Sequence, residues 1–114
     1  AVAVPTYKSY VQKSKLAEVY SLVSAAQTKA QQAIDTGGTV AETITTPGSY
    51  LSSLVTNSSG DITANFKAAS VTGLTFGGVA VVYTRTAGNG GTYYWACSTT
   101  DSDAATATGC TLNT

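Results

Sequence analysis

PTYKSYVQKSKLAEVYSLVSAAQTKAQQAID, residues 5–35, is the only long stretch of this 114-residue chain with sustained helical periodicity. In its upper part Leu16, Val19, Leu22, Val23, Ala26, Ala30, Ala33 and Ile34 recur three and four residues apart, which gathers them on one face of a helix. The lower part is patterned differently. At about 100° per residue, Val4, Tyr7 and Val11 line up on a face rotated by roughly a quarter turn, while Lys8, Gln12 and Lys15 occupy the downward continuation of the upper stripe. The helix therefore carries two apolar stripes meant for two different partners. Ahead of it, Ala1-Val2-Ala3-Val4 has no N-cap residue and reads as the end of a longer hydrophobic helix. If the helix continues upstream, Pro5 kinks it. If the chain begins at Ala1, Pro5 sits in the first turn at little cost.

Downstream, Gly37-Gly38 offers the left-handed position that ends a helix, so the stop is expected near Thr36. The connection over 37–60 is weakly patterned. Pro47-Gly48 and Asn57 to Gly60 are turns, and Tyr50, Leu51, Leu54 and Val55 read as a short helical turn or an irregular packed loop. Alternation then takes over. Ile62, Ala64 and Phe66 face one way, with Asp61, Thr63, Asn65 and Lys67 opposite. A second strand is expected from Val79 to Thr86 and a third from Thr92 to Ser98, joined by the turn Ala87-Gly88-Asn89-Gly90-Gly91, with a short strand near Thr111 to Asn113. The expectation is one α+β domain over 1–114. It has a long N-terminal helix (1–36), a connecting loop (37–60), a three- to four-stranded antiparallel sheet (61–99) against which the helix packs, and a C-terminal disulfide-bonded loop (97–110).

Composition limits the chemistry. The formal net charge is +0 from 6 basic and 6 acidic residues, and only 11% of residues are charged, which gives no overall electrostatic case for nucleic acid, anionic membrane or an acidic partner. Abundant Thr, Ser, Gly and Ala point to an exported protein with a neutral hydroxyl surface. No run of about 20 apolar residues could span a bilayer, and no internal repeat is visible. The chain has no His and two Cys. Zinc needs more soft ligands than that, and a redox pair is usually spaced Cys-x-x-Cys. Cys97 and Cys110 therefore read as a structural disulfide.

The remaining candidate sites are weak. Glu18, Asp35, Glu42, Asp61, Asp101 and Asp103 are scattered or sit in turns, so no catalytic site and no cofactor are expected. Asp101-Ser102-Asp103 lacks the further oxygen ligands of a calcium site, and Gly88-Asn89-Gly90-Gly91 precedes no helix that would hold a phosphate. Asn57-Ser58-Ser59 fits a glycosylation acceptor but reads first as a turn. Tyr93, Tyr94 and Trp95 could stack on bases or sugars. Alternation sends Tyr93 and Trp95 to one face and Tyr94 to the other, so at least one set is expected in the core. Of the basic residues Lys8, Lys13, Lys15, Lys29, Lys67 and Arg85, three cluster at the lower end of the helix.

Two motifs carry a family resemblance. Gly91-Thr92-Tyr93-Tyr94-Trp95-Ala96-Cys97, closed by Cys110, resembles the C-terminal disulfide region of type IVa pilins, although Ser98 to Gly109 lacks the Tyr-Leu-Pro stretch of some members. Ala-Val-Ala-Val-Pro-Thr-Tyr-Lys-Ser-Tyr at the start resembles the point where their hydrophobic helix half meets the globular domain. The resemblance implies a major pilin that lacks that helix half. Such a subunit is anchored in the inner membrane before assembly and is then polymerised by the pilus assembly machinery into an extracellular filament. It implies roles in adhesion to host-surface receptors, twitching motility and DNA uptake in natural competence. Within it, Val4, Tyr7 and Val11 are the expected subunit-packing residues and Cys97 and Cys110 the disulfide. The rival expectations are a minor pilin acting as a DNA-binding or adhesive receptor, and a secretion-system pseudopilin.

Overall fold

The computed structural model describes residues 3–45, 48–74, 76–88, 90 and 92–113, with side chains from residue 14 onward. Helix α1 spans Ala3–Thr36. It ends as the paired glycines predict: Gly37 adopts φ 73°, its N–H donates to the Ile34 carbonyl, and the Gly38 N–H reaches back to Ala33 at 2.8 Å. Together these two bonds form a Schellman motif, which satisfies carbonyls the helix end would otherwise leave open.

Among the described residues six strands follow in one sheet whose spatial order is the chain order: β1 (Glu42–Ile44), β2 (Leu51–Thr56), β3 (Ile62–Phe66), β4 (Ala80–Ala87), β5 (Tyr93–Thr99) and β6 (Thr111–Leu112). The first four pairings are antiparallel. β6 lies parallel to β5. Two short helices fill connections, α2 (Ala69–Thr72) between β3 and β4 and α3 (Ser102–Thr108) between β5 and β6.

The expected helix-on-sheet architecture stands, with a larger sheet than the alternating segments alone indicate. The difference lies in the connection. Leu51 and Leu54 are both buried although three residues apart, a spacing that reads as helical. In β2 the register against β3 shifts between Leu51 and Ser53, and such a bulge inserts a residue that rephases the inward positions. Leu51, Leu54 and Val55, which read as a short helical turn or an irregular packed loop, thus lie in a strand with Tyr50 in the turn ahead of it, and β1 pairs along its outer edge.

The core forms between the upper stripe of α1 and one face of the sheet. Leu16, Val19 and Val23 are buried against Leu51, Leu54, Ile62, Ala64, Phe66, Val81 and Tyr83, and Ala30 is buried further up the same stripe. Leu22 and Ala26 pack at the margin. Leu74 and Phe76, from the segment after α2, close the lower end, where the Phe76 ring meets Phe66 edge-on at 4.9 Å. Gly77 lies so close to the backbone of Ala69 that an added Cβ would sit 2.1 Å from its nitrogen, so only glycine allows this return to β4. Lys15, on the lower end of the stripe, donates from Nζ to the Thr72 carbonyl at 2.9 Å. Among the described residues no helix is long and apolar enough to cross a membrane.

Candidate functional site

Three surfaces follow from this architecture. The first is the disulfide region. Cys97 on β5 and Cys110 before β6 are bonded, with their Cα atoms 5.0 Å apart. The intervening residues form α3 rather than an irregular loop. Asp101 is its N-cap, accepting from the Ala104 N–H at 2.9 Å, and Gly109 closes the C-terminus with φ 75°. The first acid of Asp101-Ser102-Asp103 is therefore a helix cap. Ala104 is fully buried, and α3 touches both β5 and α1. Asn57 is likewise occupied by its own turn. Its Oδ1 accepts from the N–H groups of Ser59 and Asp61, and its amide nitrogen donates to the Asp61 carboxylate.

The second surface is a polar junction at the upper end of α1, organised by Arg85. Arg85 follows Val81 and Tyr83 at two-residue spacing on the inward face of β4 and stands opposite Trp95 on β5. Here the apolar core has ended, and polar partners replace it. The guanidinium donates from both Nε and Nη2 to the Gln31 Oε1, at 3.1 and 3.0 Å. It also lies 3.6 Å from the centre of the Tyr93 ring. Gln31 in turn donates to Asp35 at 2.9 Å. The Arg85 N–H donates to the Asp61 carboxylate, and the Trp95 Nε1 donates to the Gly60 carbonyl at 2.9 Å. Gly60, at φ 89°, has Arg85 Cδ 3.0 Å and Ile34 Cδ1 3.2 Å from where a Cβ would stand. These contacts join α1, the β2–β3 turn, β4 and β5.

Tyr93 and Tyr94 are 48% and 53% exposed, so neither tyrosine is in the core as alternation allowed. Tyr93 pairs with Ala87 at the turn end of the hairpin, beyond the reach of the apolar stripe. Trp95 alone of the three packs against the core. Beside it, a hollow of about 340 Å³ is lined by Gln27, Thr28, Gln31, Gln32, Asp35 and Trp95.

The third surface is the outer face of α1, where Ser14, Ala17, Ser21, Ser24, Ala25 and Thr28 are exposed. Tyr20 is the large exception, at 41% exposure. Burial raises the pKa of its phenol, and Tyr83 is pushed up to about 12 by burial first and by the neighbouring Tyr20 second. Val4, Tyr7 and Val11 lie on the helical backbone of α1, but their side chains lie outside the described residues, as do those of Lys8, Gln12 and Lys13. Of the sequence-predicted turn residues, Pro47, Asn89 and Gly91 also lie outside the described residues.

Compared with known proteins, residues 12–111 match the family model for pilin, a bacterial filament protein. No curated protein and no solved structure matches. The match runs from the lower half of α1 through the sheet and both cysteines to the start of β6. An N-terminal helix on an antiparallel sheet with a C-terminal disulfide is the arrangement of type IV pilins, and this chain belongs to the pilin family, as a subunit of a bacterial filament.

Proposed function

We propose that the chain is the major subunit of a type IVa pilus, a structural protein without catalytic activity whose work is polymerisation. The observation that carries this reading is the division of α1. Its inner stripe is spent on its own sheet, while between residues 14 and 25 the exposed positions other than Tyr20 are Ser14, Ala17, Ser21, Ser24 and Ala25, all small and uncharged. Small side chains let a neighbouring helix approach closely, since interaxial distance is set by the residues at the contact. The helix is also long for its sheet. At 1.5 Å per residue its 34 residues span about 51 Å, against 31 and 25 Å for the shorter axes of the molecule.

On this reading the 114 residues act as one unit, and Val4, Tyr7 and Val11 pack against neighbouring subunits. Cys97 and Cys110 staple the outward rim formed by α3. The β1–β2 connection and the disulfide region face outward in the extracellular filament, where adhesion, twitching motility and DNA uptake arise as properties of the polymer. Before assembly the subunit is held at the inner membrane by a hydrophobic helix half and passed to the assembly machinery. Electron microscopy of a strain lacking the gene tests the proposal, with loss of filaments expected. Filaments of normal number and appearance would exclude a major-subunit role.

A further inference from the structure

We propose that the hollow between α1 and β5 is a binding subsite for a neutral saccharide, with the Trp95 ring as its platform and Gln27, Gln32 and Asp35 as hydroxyl partners. The inference goes beyond the filament reading and does not require it. Its volume of about 340 Å³ falls at the lower end of small-molecule sites, which span about 300–1,000 Å³. That size suits one sugar residue rather than an extended ligand.

The chemistry of the lining selects the class. A pyranose has C–H faces that stack on aromatic carbon and a rim of hydroxyls that both donate and accept. Trp95 donates its only N–H to the Gly60 carbonyl, so its orientation is fixed and what it offers the hollow is ring surface. Around it, the side-chain amides of Gln27 and Gln32 make no hydrogen bond to any described residue, and each brings two donors and an acceptor. Asp35 has one carboxylate oxygen on Gln31, with acceptor capacity remaining. Gln31 is locked between Arg85 and Asp35, which holds this wall in place before any ligand arrives.

Other ligand classes fit less well. Among the described residues no cation lines the hollow, and the Arg85 guanidinium is engaged with Gln31 and Tyr93. Asp35 would repel a phosphate or an acidic sugar. A single aromatic ring with a single carboxylate is poorer than the multi-ring cages that recognise quaternary ammonium groups.

The test uses the isotope-labelled 114-residue chain in solution, with its one tryptophan supplying a single indole N–H resonance at the site. Titration with glucose, galactose, mannose, N-acetylglucosamine and N-acetylgalactosamine is expected to give, for at least one of them, a saturable shift of the Trp95 indole and the Gln27 and Gln32 amide resonances. The double variant Gln27→Ala/Gln32→Ala should weaken that sugar about tenfold, the loss of two modest hydrogen bonds. Alanine is the best helix former, so the variant keeps α1 intact, and the other resonances report that directly. The proposal is overturned if no sugar produces a saturable shift, if the shifts map elsewhere on the wild-type chain, or if the double variant binds equally well. A tighter response to sialic acid or tetramethylammonium would assign the hollow to an ion instead.

Discussion

Breaking the Cys97–Cys110 bond, by reductant or by Cys97→Ser, should loosen one corner of the protein and leave the rest folded. The bond closes a sequence separation of 13, and in the chain-entropy model a loop of that size contributes about 3 kcal/mol. For 114 residues the melting entropy is about 0.24 kcal/mol/K, so Tm should fall by about 12 °C. A further, local loss follows from what the loop contains. α3 has only seven residues, too few to persist as an isolated helix, and it is held by its caps, by Ala104 against its surroundings and by the covalent closure. Thermal melts in far-UV circular dichroism, with free thiols counted in parallel, measure the shift. Hydrogen exchange separates the global part from the local part: the Gly38 amide at the end of α1 should lose no more protection than the drop in global stability, while the Ala105 and Gly109 amides, bonded within α3, should lose more. Equal melting temperatures with the thiols demonstrably free would refute the reasoning, and so would a loss of protection in α3 no greater than that in α1.

Two further outcomes are expected. In a double-mutant cycle of Arg85→Ala and Gln31→Ala, the coupling should be about 1.5 kcal/mol, because two charge-assisted bonds share one acceptor. Strict additivity in denaturant melts would show that the junction does not hold the helix to the hairpin. Alkaline pH should destabilise the protein through Tyr83. Its native pKa of about 12 lies above the ordinary 10.0, so below pH 10 both states keep the proton and nothing is lost. From pH 10 to about 12 the unfolded chain ionises first, and stability falls by about 1.4 kcal/mol per pH unit from this group. Tyr83→Phe should remove that share of the slope, and identical alkaline profiles for the two proteins would contradict it.

The parts of the fold legible in the sequence are those where one periodicity runs unbroken. The stripe from Leu16 to Ala30 and the alternation of Ile62, Ala64 and Phe66 each mark a buried face. Leu51 and Leu54 did not read as a strand because the bulge gives them helical spacing. Single-sequence periodicity cannot distinguish a bulged strand from one helical turn when only two or three apolar residues are involved. α3 was hidden for another reason. Its sequence, SDAATAT, is too short and too polar to show a stripe, although Asp101 before it and Gly109 after it are the expected cap residues. Arg85 was legible in principle. Val81, Tyr83 and Arg85 share one face of β4, but a charged residue is discounted as a core-facing position, so its place opposite Trp95 needed the pairing register.

The same contrast bears on how a filament could hold together. Between residues 14 and 25 the exposed face of α1 consists, apart from Tyr20, of Ser14, Ala17, Ser21, Ser24 and Ala25, which bury little apolar area and so contribute geometry more than energy. On the proposed reading the apolar contribution falls to Val4, Tyr7 and Val11. At about 1.5–3 kcal/mol for each large side chain fully buried, three of them supply about 5–9 kcal/mol, comparable with the cost of immobilising one subunit, about 4–15 kcal/mol. One such contact would leave a pair of subunits barely associated. A helical assembly differs because each subunit meets several neighbours while its translational and rotational freedom is lost only once. Weak pairwise association and a stable polymer are therefore compatible in this chain.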